Sequence, residues 1–336
     1  MNEPSGSPAS SLEALGWSAF FADQVEADET ELLPCRITAV HRSRLLALSV
    51  AGAAEIGLPV HSTTADFAVG DWVLADPASA LLHRRLDRKS VMERRAATGV
   101  QLAGANIDTL FIVTSCNADF NPARLERYLA LANEARITAV IVLTKADTSD
   151  DPSPYLEEAR TLQEGVAVVM LHPKRAETVK ALAPWCGIGQ TVALVGSSGV
   201  GKSTLVNTLV GSAGAPQLTG AIRESDAKGR HTTTGRSLHA IAGGGWVMDT
   251  PGMRSLQVSD AAYGIDMLFA DIAALGSNCK FRDCTHTHEP GCAVQAAIAA
   301  GQLDPQRLQR WRKLHDESAV VHKAPVRGGG AGRRRH

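Results

Sequence analysis

No stretch of this sequence approaches the roughly 18 uncharged apolar residues that a membrane-crossing helix needs, so a membrane-embedded role is not expected. The opening MNEPSGSPASS lacks a basic segment followed by an apolar one, so no secretory leader is read there. Charge of one sign is missing too. The 34 Lys and Arg stand against 35 Asp and Glu, a formal net charge of −1. The whole chain does not advertise a polyanion partner, and any nucleic-acid surface must be a local patch. Cysteine is sparse, six in all, and three of them crowd into residues 279–292. With no leader, that clustering argues for reduced thiols around a metal in a cytoplasmic protein, not for a disulfide framework. No internal repeat is evident.

What is present fits a globular chain of about two or three domains. The apolar fraction of 44% can fill a core. Residues 1–11 are Ser/Pro-rich and expected to lack structure. Residues 12–21 predict a short amphipathic helix with little visible chemistry. From 33 to 98, short apolar runs at 35–40, 45–50, 70–75 and 80–83 alternate with turns, which predicts a small barrel or sandwich. That region ends on Arg84, Arg85, Arg88, Lys89, Arg94 and Arg95 against only Asp87 and Glu93.

From residue 107 the pattern becomes strand and helix in alternation. Runs at 107–114, 139–143, 166–171 and 191–195 read as buried parallel strands. Asn121 and Pro122 form a helix start, and Leu125, Tyr128, Leu129 and Ala132 follow at i, i+3, i+4 and i+7. Residues 238–241 and 246–248 predict a hairpin around Gly243, Gly244 and Gly245. The result is an α/β domain with a mainly parallel sheet. Beyond about 258, helices are predicted over 261–275, 295–300 and 303–318, then a Pro/Gly/Arg-rich tail from Lys323.

Four motifs carry chemistry. Gly196, Ser197, Ser198, Gly199, Val200, Gly201, Lys202 and Ser203 fit G-x-x-x-x-G-K-[ST] between the strand TVALV and a helix that Thr204 helps to open. Glycines let successive N–H groups face inward as an anion nest, and the helix adds its positive end. Lys202 can reach the β- and γ-phosphates, and Ser203 can hold Mg²⁺. Thr144-Lys145-Ala146-Asp147 matches the guanine motif [NT]-K-x-D. The Asp147 carboxylate can accept from guanine N1 and N2, which adenine cannot supply, and the Lys145 stem can cover the base. Asp249-Thr250-Pro251-Gly252 matches D-x-x-G, with Asp249 directed at Mg²⁺ and the Gly252 amide at the γ-phosphate. Between them, Gly229-Arg230-His231-Thr232-Thr233-Thr234 offers a hydroxyl for the Mg²⁺ shell. Thr233 is favoured, and its neighbours stay open. Ordinary GTPases run phosphate loop, threonine, D-x-x-G and then the guanine motif. Here the guanine motif comes first, so the domain is circularly permuted and its D-x-x-G loop leads directly into the C-terminal region.

Cys279, Cys284, His286 and Cys292 give C-x4-C-x-H-x5-C, three thiolates and one imidazole, the closed set of a structural zinc site. His288 is a rival ligand.

On TKAD, GSSGVGKSTLVN, KGRHTTT, DTPG and CKFRDCTHTHEPGCAV, in that order, the chain resembles the RsgA (YjeQ) family over roughly residues 33–320. The resemblance implies an N-terminal OB-fold at 33–98 after an extension at 1–32. It implies a permuted GTPase domain at 99–257, a mostly helical zinc domain at 258–322 and a basic tail at 323–336. It also implies GTP hydrolysis stimulated by the small ribosomal subunit, contact with its rRNA and a role late in its maturation. The sequence leaves the oligomeric state open, a monomer acting on a large particle in the cytoplasm being the simpler expectation. The basic stretch at 84–95 suits an RNA contact. An RNA-binding assembly factor that uses nucleotide only as a conformational switch is the alternative. Three positions depart from the common pattern. Thr144 stands where the family more often has Asn, so nucleotide affinity is expected to be lower. No Ser-Ala loop is visible in MLHPKR at 170–175. Met253 stands where small GTPases carry a water-orienting glutamine, which makes His231 the candidate water-positioner beside Lys202.

Overall fold

A computed structural model of the chain describes residues 11–96, 99–175, 177–211, 237–249 and 261–322. The chain divides into two compact units, Met1–Gln257 and Val258–His336. No helix among the described residues is long and apolar enough to cross a membrane.

The first unit opens differently from its expectation. Residues 12–21 do not form one helix. A 3-10 turn at Glu13–Leu15 ends on Gly16 at φ +93, and the chain restarts as α1, Ala19–Ala22. A Cβ on Gly16 would sit 2.7 Å from the Gly189 carbonyl, so the helix is broken where another loop crosses it. The turn stitches two regions together. Trp246 Nε1 donates to the Ala14 carbonyl at 2.8 Å, and Arg36 donates to the Leu15 carbonyl and to Thr191 Oγ1, both at 2.5 Å. Arg36 is only 2% exposed, and burial, opposed by Asp108, pushes its pKa down to about 10. Trp17, Phe21 and Trp72 pack edge-on and tilted around the same seam.

Five strands follow: β1 (Leu33–Val40), β2 (Leu45–Ser49), β3 (Gly52–Ile56), β4 (Trp72–Ala75) and β5 (Leu82–Arg85). β1 pairs antiparallel with both β2 and β4, helped by a bulge between Ile37 and Ala39. β2 pairs with β3 and β4 with β5, and a parallel bridge from Gly57 to Leu81 closes the ring. This is the small barrel of the OB-fold, filled by Cys35, Ile37, Leu45, Ile56 and Val73. β3 escaped prediction because GAAEI offers only one large apolar residue. A separate hairpin, β6 (Val91–Ala96) with β7 (Gly99–Ala105), was also hidden, its period masked by charges and glycines.

The second sheet region holds β8 (Thr109–Ser115), β9 (Thr138–Thr144), β10 (Ala167–Met170), β11 (Thr191–Val195), β12 (Ser237–Ala240) and β13 (Trp246–Asp249). Its order is β10-β9-β8-β11-β13-β12, parallel except for β12. Every residue of β8 and β11 is buried, as their unbroken apolar runs required. The helices are α2 (Pro122–Glu134), α3 (Ser153–Thr161), α4 (Glu177–Leu182) and α5 (Lys202–Val210). Asn121 caps α2 through Arg124 N at 3.0 Å, and the predicted Leu125, Tyr128, Leu129 and Ala132 are buried. The predicted hairpin is present as β12–β13. β12 also pairs with β1 through Ser237 and Ala39, so barrel and parallel sheet form one continuous sheet.

The second unit contains α6 (Ala262–Leu268), α7 (Ala270–Gly276), α8 (Ala293–Ala299) and α9 (Pro305–His322). The single helix expected over 261–275 is broken at Phe269, which turns to ψ +45 and buries its ring fully. Arg307 covers that ring at 4.8 Å and pairs with Asp271 at 2.6 Å, holding the two short helices at their joint.

Candidate nucleotide site and metal centre

β11 ends at Val195 and the chain turns through Gly196 at φ +139. A side chain there is impossible, since its Cβ would lie 2.1 Å from the Val113 carbonyl of β8. Gly199 and Gly201 also take positive φ, and Gly201 caps α5. Val200 turns inward to the core, while Ser198 and Ser203 are exposed and Ser197 and Thr204 half-buried. Lys202 Nζ donates to the carbonyls of Gly196, at 2.9 Å, and of Ser197. The ammonium is thus folded back over its own loop. Asp249 closes β13, the direct neighbour of β11, so the two predicted motifs leave adjacent strand ends. His231, Thr233, Gly252 and Met253 lie outside the described residues.

On the other flank, β9 delivers Thr144. Its fully buried hydroxyl lies 2.7 Å from the Val200 carbonyl and 3.0 Å from the Thr114 carbonyl. One proton serves two acceptors, and the shorter contact ties the guanine motif to the phosphate loop. Threonine therefore keeps a side-chain link across the site. Lys145 takes the left-handed conformation at φ +56, which starts the tight turn Ala146–Thr148 and brings Asp147 to the surface, 55% exposed. Asp147 opens into a pocket of about 340 Å³ lined by Ala146, Met170, Leu171, His172, Arg175, Glu177, Thr178 and Ala181. The sequence pointed to Asp147 and missed His172, whose Nε2 lies 3.6 Å from Asp147 Oδ2. A lone histidine just after a strand carries no motif that could have exposed it.

Two members of the basic stretch are committed to ion pairs within the first unit. Arg84 donates to both oxygens of Glu29, at 2.5 and 2.6 Å, and to the Gln24 carbonyl. Those bonds, with the Glu26 amide, hold the Glu29 carboxyl down to about 2. Arg88 grips the fully buried Asp71 at 2.6 and 2.7 Å. A buried carboxylate needs such a partner, so these two arginines are structural. The side chains of Arg94 and Arg95 lie outside the described residues.

In the second unit, Cys279, Cys284, His286 and Cys292 bring their ligand atoms within 4.8 Å of one another. Cys279 Sγ and Cys292 Sγ are 3.9 Å apart, and each is 3.5 Å from His286 Nδ1. A tetrahedron with metal–sulfur bonds near ~2.3 Å and a metal–nitrogen bond near ~2.0 Å has edges of about 3.8 and 3.5 Å. The four residues therefore fit a metal ion. His288 is exposed and stands outside the cluster. The imidazole is oriented by its backbone. His286 sits at φ +58, its carbonyl accepts from Gln295 and Arg312, and Trp311 lies 5.4 Å from its ring. Burial lowers the His286 pKa and so favours the neutral, ligating ring. Glu289 gathers the amides of Thr285, Thr287 and His288 beneath the loop.

Known proteins resemble this chain in sequence and in fold. The sequence profile described as RsgA GTPase matches residues 85–259. A small ribosomal subunit biogenesis GTPase RsgA of Mesorhizobium japonicum is 66% identical over 325 residues, spanning 96% of this chain and 93% of the relative. An RsgA 2 of Vibrio parahaemolyticus with the same description is 46% identical, spanning 93% and 87%. The crystal structure of YjeQ from Thermotoga maritima superposes with a TM-score of 0.63 at 22% identity, over 85% of this chain and 98% of that one. That of YloQ, a circularly permuted GTPase, gives 0.61 at 22%, over 89% and 99%. At that identity the two structures speak to the fold alone.

Proposed function

The chain belongs to the RsgA GTPase family, and we propose that it hydrolyses GTP to GDP and phosphate on the small ribosomal subunit, late in that subunit's maturation. The observation that carries this is the single seam where β9, β8, β11 and β13 lie side by side with TKAD, the phosphate loop and Asp249 at their ends. Guanine recognition, phosphate binding and metal binding are thereby adjacent despite the permuted order. The resemblance of the whole chain to relatives described as small ribosomal subunit biogenesis GTPases supplies the partner.

In this proposal Asp147 and Lys145 hold the base. The amides from Gly196 to Ser203, with Thr204 behind them, cradle the phosphates. Lys202 leaves the carbonyls of its loop to meet the β- and γ-phosphates. Ser203, Asp249 and a threonine among 232–234, with Thr233 favoured, would hold Mg²⁺. When bound, Mg²⁺ neutralises charge that develops on the phosphate oxygens. His231 positions the attacking water where Met253 replaces a glutamine, and Gly252 reads the γ-phosphate. The barrel at 33–98 faces rRNA, the domain at 99–257 turns over nucleotide, and the domain at 258–322 is built around one structural zinc. The protein acts in the cytoplasm as a monomer on a large particle. Hydrolysis measured with and without purified small subunits tests the proposal. A subunit-dependent rate supports it, and equal rates remove the activation claim.

The sheet continuity from β13 through β12 to β1 favours a second reading, in which nucleotide only sets the conformation of an RNA-binding factor. Equal subunit affinity of the GTP-locked and GDP-bound forms would remove that reading.

A further inference from the structure

The base-side pocket contains a residue that no motif assigns. His172 follows β10 and is fixed through its backbone. Its carbonyl accepts from Thr178 Oγ1 at 2.7 Å and from Arg175 N at 2.9 Å. The next residue, Pro173, locks the chain further, and its carbonyl accepts from Thr208 Oγ1 of α5 at 2.6 Å. The imidazole is thus carried on a bracket bolted to the phosphate-loop helix. From there Nε2 reaches to 3.6 Å from Asp147 Oδ2. Nδ1 is buried with no hydrogen-bond partner among the described residues.

Asp147 needs this support. It sits on a single 3-10 turn, Ala146–Thr148, and its side chain is 55% exposed. A carboxylate in that position can rotate about two bonds. Guanine offers two parallel donors, N1–H and the 2-amino group, so discrimination requires both oxygens to lie in the plane of the base. A neighbour 3.6 Å from one oxygen restrains that rotation from the side and favours a bidentate contact. We infer that His172 is a guanine-specificity residue, a positioning group that holds the Asp147 carboxylate in the plane of the incoming base. This rests on the assignment of Asp147 to guanine made above. His172 occupies the place where the Ser-Ala loop is missing, so the side chain supplies here an ordering that the loop backbone does not.

Fluorescent-nucleotide titration of the full chain with GDP and IDP tests the inference. IDP lacks the 2-amino group, so the GDP-to-IDP affinity ratio reports how well the carboxylate is aligned. Asp147→Ala is the control for the site. It is expected to weaken GDP by at least about tenfold, the scale of a lost charged hydrogen-bond partner, and to flatten the ratio. His172→Ala is expected to weaken GDP severalfold and IDP less, so the ratio shrinks. Adding His172→Ala to Asp147→Ala is expected to change nothing further, the coupling of a shared role. His172→Gln, which keeps an N–H donor, is expected to restore part of the ratio and also serves if the alanine variant folds poorly. If Asp147→Ala weakens GDP while His172→Ala leaves the ratio intact, or the two effects add, the inference is overturned and the guanine site stands. If Asp147→Ala leaves GDP binding unchanged, both fall together.

Discussion

The two sites of this protein are held in place by opposite means. The nucleotide motifs hang from the ends of strands whose residues are buried throughout, such as β8 and β11, so a broad apolar core sets their spacing. The Cys/His cluster hangs from short helices around a small core of residues such as Ile265, Phe269 and Val294. There a metal on the four side chains would do the organising, as in small domains that need a staple. A site built on a core keeps its geometry without its ligand. A site built around a metal does not.

The largest test of that contrast is metal removal. Binding of structural zinc is worth on the order of 10 kcal/mol in small domains, so a strong chelator is expected to unfold the second unit and leave the first folded. Hydrogen exchange resolved by segment checks this, and protection retained over 262–322 would contradict it. Thiol counting sharpens it. Burial pushes Cys35 up to about 11 and Cys186 up to about 12, and raises Cys116 as well. Raised values keep these thiols protonated and inert near pH 8, so chelation should expose only Cys279, Cys284 and Cys292 to a thiol reagent.

Lys202→Ala comes next. It removes the cation of the phosphate loop, whose ammonium donates to the Gly196 and Ser197 carbonyls, and should lower kcat/KM by roughly 10²–10³. Leu205→Ala cuts the core that carries that loop. Leu205 is fully buried, so a loss of about 2–4 kcal/mol in stability of the first unit is expected by denaturant titration. Thr144→Val is smaller. It keeps the volume and strands the Val200 carbonyl, at a cost of about 1–2 kcal/mol, read as weaker nucleotide binding. The smallest concerns pH. Arg84 holds the Glu29 carboxyl down to about 2. A depressed carboxyl contributes stability above its ordinary value and loses it as pH falls toward 2. Glu29→Gln should therefore melt lower near neutral pH and converge with the parent in acid.

Much of the molecule was legible from residue order. The strands with continuous apolar runs and the α2 cap at Asn121 lie where their patterns put them, and Cys279, Cys284, His286 and Cys292 come together as their spacing suggested, because each signal is local. Signals that depend on distant partners were not legible. Gly16 breaks a helix because Gly189 crosses it, Phe269 breaks another to bury its ring, and Arg84 and Arg88 look like an RNA face until Glu29 and Asp71 are seen beside them. His172 belongs to the same class, since only the fold brings it to Asp147.

The most direct test of the account is single-turnover GTP hydrolysis by the purified chain, alone and with small ribosomal subunits. The account predicts slow turnover alone, a clear acceleration by subunits, and hydrolysis lowered by roughly 10²–10³ in both conditions for Lys202→Ala. Equal rates with and without subunits, or undiminished hydrolysis by Lys202→Ala, would contradict it.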